Sequence, residues 1–287
     1  MLTKRFMCIG VVLAFLLGVT VVFAGDTGSN AVQEESWNKQ SGHPGTGELD
    51  WTSGIVESTG IGVINPKAVN VGQARAGCLR AATVGAQRNL LEIIQGVNID
   101  SETTVENFMT TSDVIKTKVT GVLRGAQQKG QPVYKADGTC EVTMMVKVSG
   151  ALADILLPPA NQFGTDANQI PEGPKNLYSG LIIDAMGLGA VPAMAPKVLD
   201  ETGNDVYGEA FISREYAVEQ GVVGYAKSVD QAKGNSRVGS NPLVLKAIKA
   251  TGKAAADVVI SNSDAAKLKD TNIDWGFLKE CRVIIVL

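Results

Sequence analysis

The chain has a single histidine, four cysteines and only 5% aromatic residues in 287. Each scarcity excludes a chemistry. Ser-His-Asp and Cys-His hydrolases need an imidazole held as a base, and the lone His43 lies beside Pro44 and Gly45 in a polar stretch with no core to hold it. The nucleophile-elbow pattern G-x-S-x-G is missing, and no CxxC or His/Cys cluster offers zinc spacing. Glycine pairs do occur, but as turns. Gly60-Ile61-Gly62 and Gly187-Leu188-Gly189 lack the third glycine of a dinucleotide loop, with Asn65 and Pro192 in its place. Gly125 to Gly130 has P-loop spacing, yet Gln131-Pro132 replaces the Lys and hydroxyl residue. No cofactor and no metal are expected. Asp200, Glu201, Asn204 and Asp205 crowd a turn without the order of a calcium loop, which predicts a plain polar turn.

Long apolar runs are also scarce, and the first is the informative one. Lys4 and Arg5 precede an apolar run from Ile9 to Phe23 that ends in Val22-Phe23-Ala24 before Gly25. A charged start, a greasy middle and small residues at the cut predict a signal peptide over residues 1–24. The run falls short of the roughly 20 residues that cross a bilayer, so no membrane span is expected after cleavage. Gly25 stands where a lipoprotein would carry cysteine, and Cys8 comes too early, so no lipid anchor is expected. Cleavage removes Lys4 and Arg5 and no acid, taking the formal charge from −3 to −5. That balance argues against nucleic acid as a partner. Cys78, Cys140 and Cys281 remain in an exported chain, where disulfides are permitted. They are read either as buried inert thiols or as a Cys78–Cys140 bridge with one thiol left over.

Residues 25–50 are poor in apolar side chains and are expected to be a flexible leader. An extended segment is expected from Trp51 to Ile64. The clearest helix starts near Asn70 and stops at Gly96, with Leu79, Ala82, Ala86, Leu90 and Ile93 at helical spacing and a strip of small residues alongside, Ala74, Cys78, Ala81 and Gly85. A short helix follows at Thr104–Met109. Lys116–Gln127 reads as a strand with a helical alternative. Asp137-Gly138 marks a hairpin between alternating runs that continue to Val148. Prolines and glycines over 158–176 suggest a linker. Beyond it, strands are expected at Leu181–Asp184, Phe211-Ile212, Asp257–Ile260 and Arg282–Val286, with a hairpin over Val198–Tyr207. A helix is expected from Ser240-Asn241-Pro242 to Gly252, and a short one capped by Ser263 and running to Leu268. Lys246, Lys249, Lys253, Lys267 and Lys269 then form a solvated face of two helical regions.

The expected architecture is α+β: a long helix packed on an antiparallel sheet (residues 51–157), a linker (158–176), and a second small α/β or α+β domain (177–287). Carboxylates are the remaining route to a site. Asp184 ends a strand, and Arg214-Glu215 follows the expected strand at Phe211-Ile212, so Asp184, Arg214 and Glu215 are the candidate ligand cleft.

The block Val71-Gly72-Gln73-Ala74-Arg75-Ala76-Gly77-Cys78-Leu79-Arg80-Ala81-Ala82 continues through Asn89-Leu90-Leu91-Glu92 to Gly96-Val97. With Gly60-Ile61-Gly62 before it and Val119 to Ala126 after it, this stretch resembles the LPP-twenty-type bacterial envelope lipoproteins, flagellar P proteins among them. It is also similar to the N-terminal domain of flagellar assembly protein T. The likeness covers about residues 51–150. It implies a helix on a small antiparallel sheet and a structural or assembly role, in some members as a periplasmic ring or disc. It carries no catalytic residue onto this sequence. The lipid-bearing cysteine of that family has no counterpart at Gly25, and residues 177–287 lie outside the shared domain. The sequence thus reads as a non-enzymatic exported protein of the periplasm, the outer-membrane surface or the medium. Its expected partners are copies of itself or other envelope proteins. The alternative is a binding module for a small ligand or an envelope polymer, and the acids alone leave room for an enzyme.

Overall fold

The computed structural model describes residues 39–41 and 47–287. The signal segment, most of the leader and His43 lie outside the described residues. The leader's last residues belong to the fold: Lys39–Ser41 (β1) pairs with Gly47–Asp50 (β2), and Leu49 is fully buried.

The longest helix, α1 (Val71–Gln95), starts where Asn70 accepts a hydrogen bond from the Gln73 amide, and ends where the Gly96 amide donates to Ile93 and Ile94. Its buried stripe is Ala74, Cys78, Ala82, Ala86, Leu90, Ile93 and Ile94. Ala81, expected in the small-residue strip, is exposed. Small residues let the helix lie almost against the strand Ile55–Val63 (β3). A Cβ on Gly60 would fall 1.9 Å from the Ala82 carbonyl oxygen, and one on Gly62 2.1 Å from that of Cys78. Buried Ser58 donates to the Ala86 carbonyl at 2.6 Å.

Val105–Thr110 (α2) precedes Asp113–Arg124 (α3). Here the expected strand over Lys116–Gln127 is corrected: all but its last residues are helical. Buried Val119 and Leu123 are one turn apart, and Thr117 and Thr120 turn their hydroxyls back onto Asp113 and Lys116 carbonyls. Packing of that stripe overrides the β-branched preference. Gln127–Tyr134 (β4) and Thr139–Lys147 (β5) form the expected hairpin, with Gly138 at φ +82° in its turn. The five-stranded sheet has the order β1-β2-β3-β5-β4 and is antiparallel throughout. A disulfide joins Cys78 of α1 to Cys140 of β5.

Ala151–Leu156 (α4) leads into 158–176. That stretch is stitched to the second unit, with bridges from Glu172 to Asp274 and from Lys175 to Ile273. The second sheet holds Leu181–Asp184 (β6), Val198-Leu199 (β7), Asp205–Tyr207 (β8), Gly224–Ala226 (β9), Leu243–Thr251 (β10), Asp257–Ile260 (β11) and Val283–Val286 (β12). Its order is β8-β7-β11-β10-β6-β12-β9, with β10, β6, β12 and β9 mutually parallel. Two readings are corrected here. The helix expected over Ser240–Gly252 is β10: Leu245 and Ala247 are buried while Val244, Lys246 and Ile248 are exposed, a two-residue period. Lys246 and Lys249 therefore sit on a strand. Glu209–Phe211 is a 3-10 turn rather than a strand, and it leads to Arg214–Gln220 (α5). Val229–Lys233 (α6) follows β9, and Asn262–Lys267 (α7) is capped by Ser261 in place of Ser263.

The fold is α+β with two domains, as expected. They share one core that runs from Leu49 to Ile285. Trp51 meets Tyr225 edge-on at 5.5 Å. Met194 and Ala195 amides donate to Asn98 and Ile99 carbonyls, and Gly150 donates to Val218. Asp257, 7% exposed, accepts from Ser101 Oγ of the first unit and from the Lys197 amide of the second. Among the described residues, no helix is long and apolar enough to cross a membrane.

Candidate binding trough at the domain junction

The structure separates the three residues read as a cleft. Asp184 is the last residue of β6, and its Oδ1 accepts from the Met186 amide. Arg214 and Glu215 open α5 beside the other end of the strands, where the Ser213 amide meets the Lys279 carbonyl ahead of β12. Arg214 clamps α4: Nη1 donates to Asp154 Oδ1 at 2.7 Å, Nη2 to the Asp154 carbonyl and Nε to that of Pro158. Glu215 accepts from the Ser213 hydroxyl, which holds its carboxyl below the usual range. All three do local structural work.

The concave surface lies instead across the N-terminal ends of β6, β10, β12 and β9. It has three parts that share lining residues. The first, about 730 Å³, is walled by Tyr178, Tyr216, Phe277, Asn241, Asp274 and Lys279. The second, about 660 Å³, shares Tyr216, Glu280 and Arg282 with it and extends to Gln220 and Arg237. The third is a narrow pocket of about 140 Å³ between the domains, where Trp51, Thr52, Met194 and Tyr225 join Arg237. Tyr178 is set by stacking on buried Trp275 at 5.6 Å. Asn241 is held by the Leu177 carbonyl and the Ser179 hydroxyl. Glu280 and Arg282 pair at 2.8 Å.

Arg237 organises the inner end. Its Nε donates to the Cys281 carbonyl at 2.7 Å, Nη1 to that of Gln220 at 2.7 Å, and Nη2 to that of Gly221. Among the described residues, no carboxylate lies within ion-pair distance of it. Burial lowers its proton affinity, while Tyr207 and Cys281 nearby act in the opposite sense. Cys281 is a buried free thiol at φ +57°, and burial pushes it up to about 11. The bridge takes Cys78 and Cys140, and the Cys281 thiol is sealed in the core.

The acidic turn is self-satisfied. Asp200 is held far below the usual carboxylate range by hydrogen bonds from Thr202 and Asn204, Glu201 accepts from the Asn262 amide, and Asp205 pairs with Lys197 at 2.9 Å. Among the described residues, no group of three His, Cys, Asp or Glu side chains converges as a metal site would require.

Sequence reading missed Arg237, Thr52, Tyr178 and Tyr216. The acceptors of Arg237 lie 16, 17 and 44 residues away, so no local pattern announces it. Residues 180–287, about two fifths of the chain, are similar to the second domain of Treponema pallidum Tp0624. No curated protein matches the chain significantly.

Proposed function

We propose that this is an exported, non-enzymatic component of the cell envelope that works as a structural or assembly protein, through contact of one surface with another. One observation carries the reading. On the sheet face turned away from α1, Ile61, Val63 and Val133 are 62%, 69% and 54% exposed. Ile61 and Val133 flank Glu141 across the strands, and Val63 pairs with Thr139 one step on. A Lys129–Glu57 ion pair borders them and a Lys135–Glu141 pair lies among them, so the patch is apolar side chains threaded by neutralised charge. The disulfide agrees with passage through an oxidising compartment. The LPP-twenty-type resemblance of residues 51–150 supports the same role, a flagellar-motor ring or disc being one form of it.

Among the described residues, the sheet edges offered for subunit pairing are β4 and β1, because β5 lies inside the sheet. Pro132 and a register shift between Lys129 and Val133 blunt β4, which directs contact to the face rather than the edge. The test is light scattering and electron microscopy of residues 25–287, alone and in envelope extracts. Assembly is expected, lost in an Ile61→Asp/Val133→Asp double variant with an unchanged circular dichroism spectrum. A chain that stays monomeric at high concentration and in extracts sinks the reading.

The trough supports a second reading, in which the chain holds a small ligand or an envelope polymer. Tyrosines, amides and paired charges along one open groove suit an extended polar ligand. A thermal-shift screen against wall fragments, sugars and divalent ions is expected to show stabilisation by at least one class. A flat screen removes it.

A further inference from the structure

We propose that the narrow pocket between the domains binds a carboxylate carried on a short apolar group, such as the C-terminal residue of a small peptide. The inference rests on the binding reading and adds to it the place and chemistry of the anchor point.

Three features meet there. A guanidinium has five N–H donors, and Arg237 spends three on carbonyls of Cys281, Gln220 and Gly221. One N–H remains on each terminal nitrogen, and these are available to the oxygens of a carboxylate. Thr52 lines the same pocket, and its hydroxyl oxygen is buried with no hydrogen-bond partner. A buried orphan polar atom is costly, so a bound oxygen within reach of its rotating hydroxyl would relieve it. Ala153, Leu157, Ala217 and Val223 give the pocket an apolar side, while Ser53, Ser149 and Gln220 add uncharged polar groups. The pocket volume of about 140 Å³ is close to the ~150 Å³ that accommodates six-atom benzene in a protein cavity. Alanine also has six heavy atoms. Glu219 and Glu280 line the adjoining basin and not the pocket, and Glu280 is paired with Arg282. The fixed charge facing the pocket is therefore positive, and the open basin gives the rest of a longer ligand a way out.

The experiment is NMR titration of the mature chain, read at the Trp51 indole and Thr52 amide, with N-acetylalanine, N-acetylalaninamide, N-acetyl-Ala-Ala and inorganic phosphate as probes. Saturable shifts are expected with both acids, at least tenfold weaker with the amide and with phosphate. Thr52→Val is expected to keep or raise the melting temperature and to weaken N-acetylalanine at least tenfold. Arg237→Lys, measured below its own melting temperature, is expected to weaken it further. Equal binding of amide and acid, or of phosphate and acid, overturns the carboxylate assignment. Unchanged binding in Thr52→Val reduces that hydroxyl to strain and also overturns the proposal. If N-acetylalanine fails while an envelope fragment still stabilises the protein, the trough reading stands and the pocket inference falls. If neither binds, both fall.

Discussion

Gly60 shows how much one missing side chain decides. Its strand runs directly beneath the Ala82–Ala86 turn of α1, and any Cβ there would strike backbone. Gly60→Ala is expected to destabilise the protein by about 3 kcal/mol or more, since overpacked backbone has no soft side chain to move. Urea unfolding measures it. Cys281 offers a test in alkali. The folded state favours its thiol form, with a pKa pushed up from the ordinary range to about 11. The unfolded thiol ionises first, so this contribution is intact below the ordinary thiol pKa of about 8.5 and is lost as the pH climbs to about 11. Buried Tyr207 and Tyr225, both shifted upward by desolvation, extend the loss to higher pH. Stability measured from pH 8 to 11 should fall, and Cys281→Ala should flatten that fall.

Elements differ in how far the sequence exposes them. The helix α1 was legible from end to end because a cap, a stripe recurring every three or four residues and a stopping glycine agree. The hairpin around Asp137-Gly138 was legible for a similar reason. The strand β10 was not: Asn241-Pro242 imitates a helix start, and alanines and lysines favour a helix, so local preference contradicted the two-residue burial period. Only the neighbouring strands β6 and β11 settle it. Leu245→Ala should cost about 2–4 kcal/mol and Ile248→Ala under about 0.5 kcal/mol, read from urea midpoints. Exposures of 4% and 46% set that contrast. A helix packed by its Val244–Ile248 face would reverse it. The bridge between α1 and β5 spans 62 residues. Losing it in a Cys78→Ala/Cys140→Ala double variant should cost about 2–4 kcal/mol. The candidate site was illegible because its residues come from loops far apart in the chain, and their only common signal is where the strands begin.

At the scale of the whole molecule, two sheets of different construction behave as one body. A continuous core, the Trp51–Tyr225 contact and the double role of Asp257 leave no slack plane between them. One unfolding transition is expected by calorimetry and by circular dichroism alike. Asp257→Ala should cost about 3 kcal/mol for two lost bonds to a carboxylate and lower the midpoint as a single event. Two separated transitions in the unmutated protein would show that the junction is weaker than its contacts suggest. The same rigidity fixes the distance between the apolar patch on the first sheet and the trough on the second, so a partner seated at one would be held in a set orientation to anything bound at the other.

The Cys78–Cys140 link has a practical consequence for anyone preparing the protein. Material made in a reducing cytosol carries thiols at both positions and lacks the staple between helix and sheet. It is a looser molecule of the same mass to within two hydrogens. The two forms separate on a non-reducing gel, and an assembly assay run on the wrong one would report on a different surface.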